Sequence, residues 1–163
     1  MRSITLVLAA AVALMAAEDG TATGTFTVKG KATKMAFAYA TSMSNPMDSK
    51  KQAIRLILTD VALTPKTLAD PSPFSLMDLT AAGKLHGVSA GISLADKSVF
   101  TTSLYDAGFK MSSVSVAGSN IKLEVKTLTA TSISGRLYTE KADDFNDVPF
   151  EFNITFTAPI SKK

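Results

Sequence analysis

Between residues 148 and 158 the chain alternates without a break. Val148, Phe150, Phe152, Ile154, Phe156 and Ala158 are apolar, and Pro149, Glu151, Asn153, Thr155 and Thr157 stand between them. Successive side chains of a β-strand point to opposite faces, so this stretch reads as one long strand with an oily side and a wet side. A strand half buried along its whole length belongs in an antiparallel sheet that covers a core on one side. Pro149 fits only near the start of such a strand, where a missing N–H is tolerated.

The same period of two runs through most of the chain from residue 23 onward. Thr23 to Val28 and Lys34 to Thr41 read as strands, with Phe26, Val28, Met35, Phe37 and Tyr39 inward and Lys29-Gly30 as a hairpin link. Residues 52 to 59 are apolar on both faces, as a central strand is. Leu85 to Leu94 and Val99 to Tyr105 flank a turn at Ala95-Asp96-Lys97. Val114 to Ala117 and Ile121 to Thr127 flank Gly118-Ser119-Asn120, which reads as a further hairpin signal. Ile133, Gly135 and Leu137 lead into a polar loop and the last strand. About eight or nine strands result, and the expected fold is all-β: an antiparallel sandwich or barrel.

One segment departs from this pattern. At 64 to 83, Thr64-Pro65 and Ser72-Pro73 each place a capping side chain before a first-turn proline, and Gly83 is placed to end a helix. Phe74, Met77, Asp78 and Ala81 share a helical face. One short helical connection is expected, with room for a second helix, lying across one end of the β-structure.

The first 17 residues, MRSITLVLAAAVALMAA, combine a basic Arg2, an apolar run and small residues before Glu18-Asp19, the form of a secretory signal peptide. Residues 18 to 163 make up one domain's worth of chain. The expectation is a soluble, secreted or periplasmic bacterial domain with no integral membrane segment in its mature chain. The absence of cysteine excludes disulfides and thiolate metal sites and leaves stability to core packing. A formal net charge of +3 with dispersed lysines lacks the footprint of a nucleic-acid binder.

Residues 85 to 93, LHGVSAGIS, hold the only histidine beside Gly87-Val88-Ser89-Ala90-Gly91, which matches the GxSxG pattern of serine hydrolases. A nucleophile elbow needs a sharp strand-to-helix turn. Here the apolar pattern continues through Ile92 and Leu94 to another strand. On a pleated strand His86 lies with Val88 and Ala90, whereas Ser89 lies on the other face, so the two cannot pair. The motif is therefore read as a strand, with no catalytic residue, and a secreted hydrolase using Ser89 and His86 is the alternative. His86 is expected at the strand's entrance, hydrogen-bonded to backbone or water.

Other candidate constellations are weaker. Glu140 with Asp143, Asp144 and Asp147 offers oxygen ligands, but without the spacing or glycine of an EF-hand loop it reads as a solvated hairpin tip near Lys141 and Arg136. Asn153-Ile154-Thr155 is a formal glycosylation sequon on the polar face of the last strand. Sugar binding would require coplanar aromatic rings on an exposed sheet face. No metal and no cofactor is expected.

The final hairpin, ISGRLYT followed by FEFNITFTAPI, resembles the closing strands of secreted bacterial all-β domains. The resemblance covers about a fifth of the chain and implies a fold, not an activity. The functional expectation is a non-catalytic extracytoplasmic domain that binds an envelope protein or a small apolar ligand, a structural envelope component being a further alternative. His86, Phe74 and Met77 are the candidate contacts, with sheet edges and the 64 to 83 connection as contact regions.

Overall fold

A computed structural model of the chain describes residues 20–70 and 72–162. The segment 1 to 17, read above as a signal peptide, lies outside the described residues. The strands are β1 (Gly20–Val28), β2 (Lys31–Lys34), β3 (Phe37–Asn45), β4 (Asp48–Thr59), β5 (Gly87–Ser93), β6 (Val99–Tyr105), β7 (Val114–Val116), β8 (Ile121–Leu128), β9 (Ser132–Thr139), β10 (Asp143–Phe145) and β11 (Val148–Ser161). Two helices, α1 (Pro65–Ala69) and α2 (Phe74–Ala81), join β4 to β5, and a single 3-10 turn, Ala107–Phe109, follows β6.

All eleven strands form one mostly antiparallel sheet, in the order β7-β6-β5-β4-β3-β1-β11-β9-β8, with β2 paired to β1 and β10 to β11. The sheet curls on itself into a half-barrel. The expected all-β antiparallel architecture is present in its barrel-like form, with eleven strands in place of eight or nine. The extra ones are short. β2 lies almost wholly before the expected 34 to 41 strand, which Met35-Ala36 separates from it and which is realised as β3, and Asp143–Phe145 forms a small hairpin arm against β11.

The alternation of residues 148 to 158 is realised in full: β11 buries Val148, Phe150, Phe152, Ile154, Phe156 and Ala158 and exposes each residue between them. These side chains meet Phe26 and Val28 of β1, Leu56 and Leu58 of β4, Val88 and Ile92 of β5, and Ile133 and Leu137 of β9 inside the curl. Burying a phenylalanine or leucine side chain contributes roughly 1.5–3 kcal/mol, so this interior is the principal support of a fold without disulfides.

Local turn chemistry is equally direct. Lys29 and Gly30 both have positive φ, 51° and 76°, as a tight hairpin turn requires, and Asn146-Asp147 repeats the arrangement at 50° and 62° before β11. The first link joins β1 to the short β2, not to a long strand from residue 34.

Two expectations about neighbours are corrected. Val114–Val116 and Ile121–Leu128, flanking Gly118-Ser119-Asn120, do not form a hairpin: β7 pairs only with β6, and β8 only with β9, at opposite ends of the sheet. Curling brings these ends together without a ladder between them. The connection 64 to 83 holds two helices, and they lie on the outer face of the sheet, not across its end. Leu63, Leu76 and Leu85 pack on Tyr39 of β3, Ile57 of β4 and Tyr105 of β6, whose neighbours in sequence face the interior. That is why residues 52 to 59 are apolar on both faces. Phe37 and Tyr39, expected inward, therefore lie on the outer side, and Ala38 and Ala40 face in.

Candidate functional site

Every residue of β5, Gly87-Val88-Ser89-Ala90-Gly91-Ile92-Ser93, is buried, and the strand is paired on both sides. Ser89 sits in register between Ile57 and Ser103 and faces the helical layer, where its hydroxyl lies 3.5 Å from the Tyr105 hydroxyl. The segment is a continuous strand with no elbow; the register shift in its ladder with β6 falls between Gly91 and Ile92, beyond Ser89. Its glycines serve packing: a Cβ on Gly87 would lie 2.6 Å from the Leu58 carbonyl oxygen, and one on Gly91 would lie 2.5 Å from the Phe100 ring. Glycine is thus used where neighbouring groups approach most closely.

His86 precedes β5 at the mouth of the curl, and the expected partner, backbone or water, is replaced by a carboxylate. Its Nδ1 lies 2.8 Å from Oδ2 of Asp106, with the two side chains 22% and 14% exposed. The other oxygen of Asp106 accepts the Gly108 N–H at 2.7 Å, capping the 3-10 turn. The backbone around His86 is held as well. Its N–H donates to Oδ1 of Asp60 at 2.8 Å, and its carbonyl accepts the Asp60 N–H at 3.1 Å.

This cluster fixes a plug. Phe109, at the end of the 3-10 turn, is buried edge-on against Phe150 and Phe145, with centroid distances of 6.1 and 6.4 Å. The carboxylate of Asp106 therefore fastens the β6 end both to its own turn and to the start of β5. A histidine–carboxylate pair is two parts of a triad, but Ser89 is on the other face of the sheet and does not complete it. Among the described residues, no group of three or more His, Asp or Glu side chains converges to hold a metal ion. Asp106-Ala107-Gly108 carried a capping signal in the sequence; nothing local marked Asp106 as the partner of a residue twenty positions earlier.

The helical layer divides the other two candidates. Phe74 is 66% exposed at the start of α2, whereas Met77 is half-buried against the outer cluster. The face that α2 buries carries Leu76 and Thr80, not Phe74 and Ala81. Thr64 caps α1 as expected, accepting the Thr67 N–H at 3.2 Å. Ser72 does not cap α2. Asp70 does this work, its carboxylate accepting from the backbone N–H and hydroxyl of both Ser72 and Ser75. The Ser72 hydroxyl, followed by that of Ser75 and their N–H groups, holds the Asp70 carboxyl well below the usual carboxylate range.

On the opposite side of the barrel, the outer face of β11, β9 and β8 is polar and uncovered. Arg136 donates from Nε to Oδ1 of Asn153 at 2.8 Å, lies 3.8 Å from Glu124, and stacks 4.1 Å above the Tyr138 ring. The Tyr138 hydroxyl donates to Glu124 at 2.9 Å, and that bond raises its pKa. This face offers Tyr138 under a guanidinium rather than a row of open rings. Asp143, Asp144 and Asp147 are exposed at the β10–β11 tip; Arg136 turns to Glu124, and it is Lys122 that reaches Glu140, at 3.7 Å.

The remaining feature is the seam where the sheet fails to close. β7 covers only Thr102 to Leu104 of β6, so Val99 to Thr101 have no strand partner on that side, and β8 is unpaired along the edge away from β9. Val99, Phe100, Val116 and Ile121 line a small cleft there. Among the described residues, no helix is long and apolar enough to cross a membrane. No protein-family model, no curated protein and no solved structure matches the chain.

Proposed function

We propose that this chain is a non-catalytic binding domain that acts outside the cytoplasm, in the periplasm or after secretion, and engages a protein of the cell envelope through the open seam of its sheet. The observation that carries this reading is the pair of strand edges, β6 with β7 on one side and β8 on the other, that face each other without a ladder. Unpaired N–H and C=O groups of an edge accept an added strand, with backbone hydrogen bonds supplying affinity and alternate side chains specificity. A partner strand gains from Val99, Val116 and Ile121 at the same place. The filled interior favours this occupant over a small apolar ligand, since Phe26, Phe152 and Phe156 take the space such a ligand would need. The leader-like first 17 residues support the location.

The test is native mass spectrometry of protein purified from its own secretion pathway, combined with photo-cross-linkers placed at Thr101 and Lys126. A protein partner cross-linked from both seam positions, and not from a control position such as Thr23, is the expected result. A bare monomer, a retained small molecule, or a partner cross-linked only elsewhere would overturn the assignment. Hydrolase activity lost in Ser89→Ala would replace it with the enzymatic alternative.

A further inference from the structure

The β3–β4 hairpin outgrows the sheet. On β3, the parallel pairing with β11 stops at Thr41, and on β4 the ladder with β5 begins at Ala53, with the Gln52 carbonyl still accepting the Leu94 N–H at 3.1 Å, so 42 to 51 extend with only each other as strand partners. Near the tip the register jumps: Ser44 pairs with Gln52, but Asn45 pairs with Asp48, which pushes Ser49, Lys50 and Lys51 out as a bulge. The tip itself is held in shape. Asn45 is buried and its side-chain oxygen accepts the Met47 N–H at 2.9 Å, while Asp48 accepts the Lys50 N–H at 3.1 Å.

What this shaped tip presents is unusual for its surroundings. Met47 is 83% exposed, the most exposed large apolar side chain among the described residues, and Pro46 beside it is exposed as well. Lys50 and Lys51 are exposed beside it, and Lys162, exposed at the base of the hairpin, lines an open depression with Ser42, Met43, Ser44 and Gln52. The adjoining turn after β5 adds Lys97. The acids of this end, Asp48, 3.3 Å from Lys51, and Asp96, hydrogen-bonded to Ser98 at 2.7 Å, offset part of this charge and leave the cations in excess. An apolar tip with cations behind it matches the layered chemistry of an anionic bilayer, in which phosphates lie above acyl chains.

We propose that this hairpin is a membrane-surface contact, Met47 entering the headgroup layer of an anionic phospholipid bilayer while Lys50, Lys51 and Lys162 meet its phosphates. The contact is peripheral and reversible. One methionine and a few lysines supply weak attachment, each lysine near the surface being worth about a five-fold change in partitioning. The hairpin contact uses none of the seam residues and stands whether or not the seam takes a partner strand.

The chain has no tryptophan, which makes Met47→Trp a clean reporter. Mature protein is mixed with vesicles of phosphatidylcholine alone, or of equal parts phosphatidylcholine and phosphatidylglycerol, and assayed by co-sedimentation and by tryptophan emission. Binding and a blue shift are expected only with phosphatidylglycerol, both fading as salt is raised. Lys50→Gln with Lys51→Gln lowers binding more than about ten-fold, and Met47→Asp several-fold, with unchanged circular dichroism. Absence of a blue shift on phosphatidylglycerol vesicles overturns the proposal. So does binding that persists unchanged in the lysine double variant. Equal capture by a soluble polyanion such as heparin, without any blue shift on vesicles, would reassign the patch to an acidic polymer.

Discussion

His86 and Asp106, twenty residues apart in the chain, meet at 2.8 Å where β5 begins and β6 ends. The contact joins two strands that are already hydrogen-bonded, so its consequence lies beyond the ladder. It sets the position of the 3-10 turn and, through it, of Phe109 against Phe145 and Phe150. Replacing His86 by alanine leaves a half-buried carboxylate short of one partner and should cost about 1–3 kcal/mol. Asp106→Ala also removes the Gly108 cap and should cost about 1 kcal/mol more. Urea denaturation of both variants and of the double variant measures the coupling; additive losses would show that the pair is energetically idle.

The GxSxG match yields a prediction opposite to that for a catalytic elbow. Ser89→Ala removes only a long hydrogen bond to Tyr105 and should change stability by less than about 1 kcal/mol. Gly87→Ala drives a methyl group into the Leu58 carbonyl and should cost about 1–3 kcal/mol. Thermal melts of the two variants rank them directly, and a larger loss from Ser89→Ala would contradict the strand packing described for β5.

Two neighbours on α2 separate core from surface. Leu76 is almost wholly buried against the outer face of the sheet, and Leu76→Ala should cost about 2–5 kcal/mol. Phe74→Ala, at an exposed position, should lie within about 0.5 kcal/mol of the parent. A partner held by the helical layer would show the reverse sensitivity in a binding assay: Phe74→Ala would weaken it while leaving the melting temperature in place.

Asp70 predicts an acid dependence. Its folded pKa lies below the ordinary value of 3.8 because the Ser72 and Ser75 hydroxyls and N–H groups stabilise the carboxylate. A depressed folded pKa contributes stability in full above the unfolded pKa, and that contribution is lost as pH falls from about 4 through the folded value. In denaturation curves taken from pH 6 downward, Asp70→Asn should be less stable than the parent at pH 6, with the difference narrowing as the solution is acidified. A gap that stays constant down the acid limb would mean that Asp70 caps α2 without an electrostatic contribution.

Much of this architecture was legible one residue at a time. The strict alternation in β11 specified which side chains enter the core, and the turn chemistry of Lys29-Gly30 and Thr64-Pro65 marked real boundaries. Gly118-Ser119-Asn120 misled because turn residues show where a chain can reverse, not which strand will receive it. Phe74 misled for a related reason: helical spacing defines which residues share a face, and the position of Tyr39, Ile57 and Tyr105 beneath the helix decided which face was buried. The Asp106 partner of His86 left no local trace, since contact across two antiparallel strands depends on their register.

The sequence by itself determined the extended geometry around Val88, the all-β class and the inward phenylalanines of β1 and β11, because side-chain periodicity is a property of the backbone and needs no neighbours. Only the tertiary structure decided that β7 and β8 part company, that the helices coat an outer face, and that a histidine and an aspartate meet where β5 begins and β6 ends. Those are choices among partners far apart in the chain, and they are settled by register, sheet curvature and the burial available when the whole sheet curls at once.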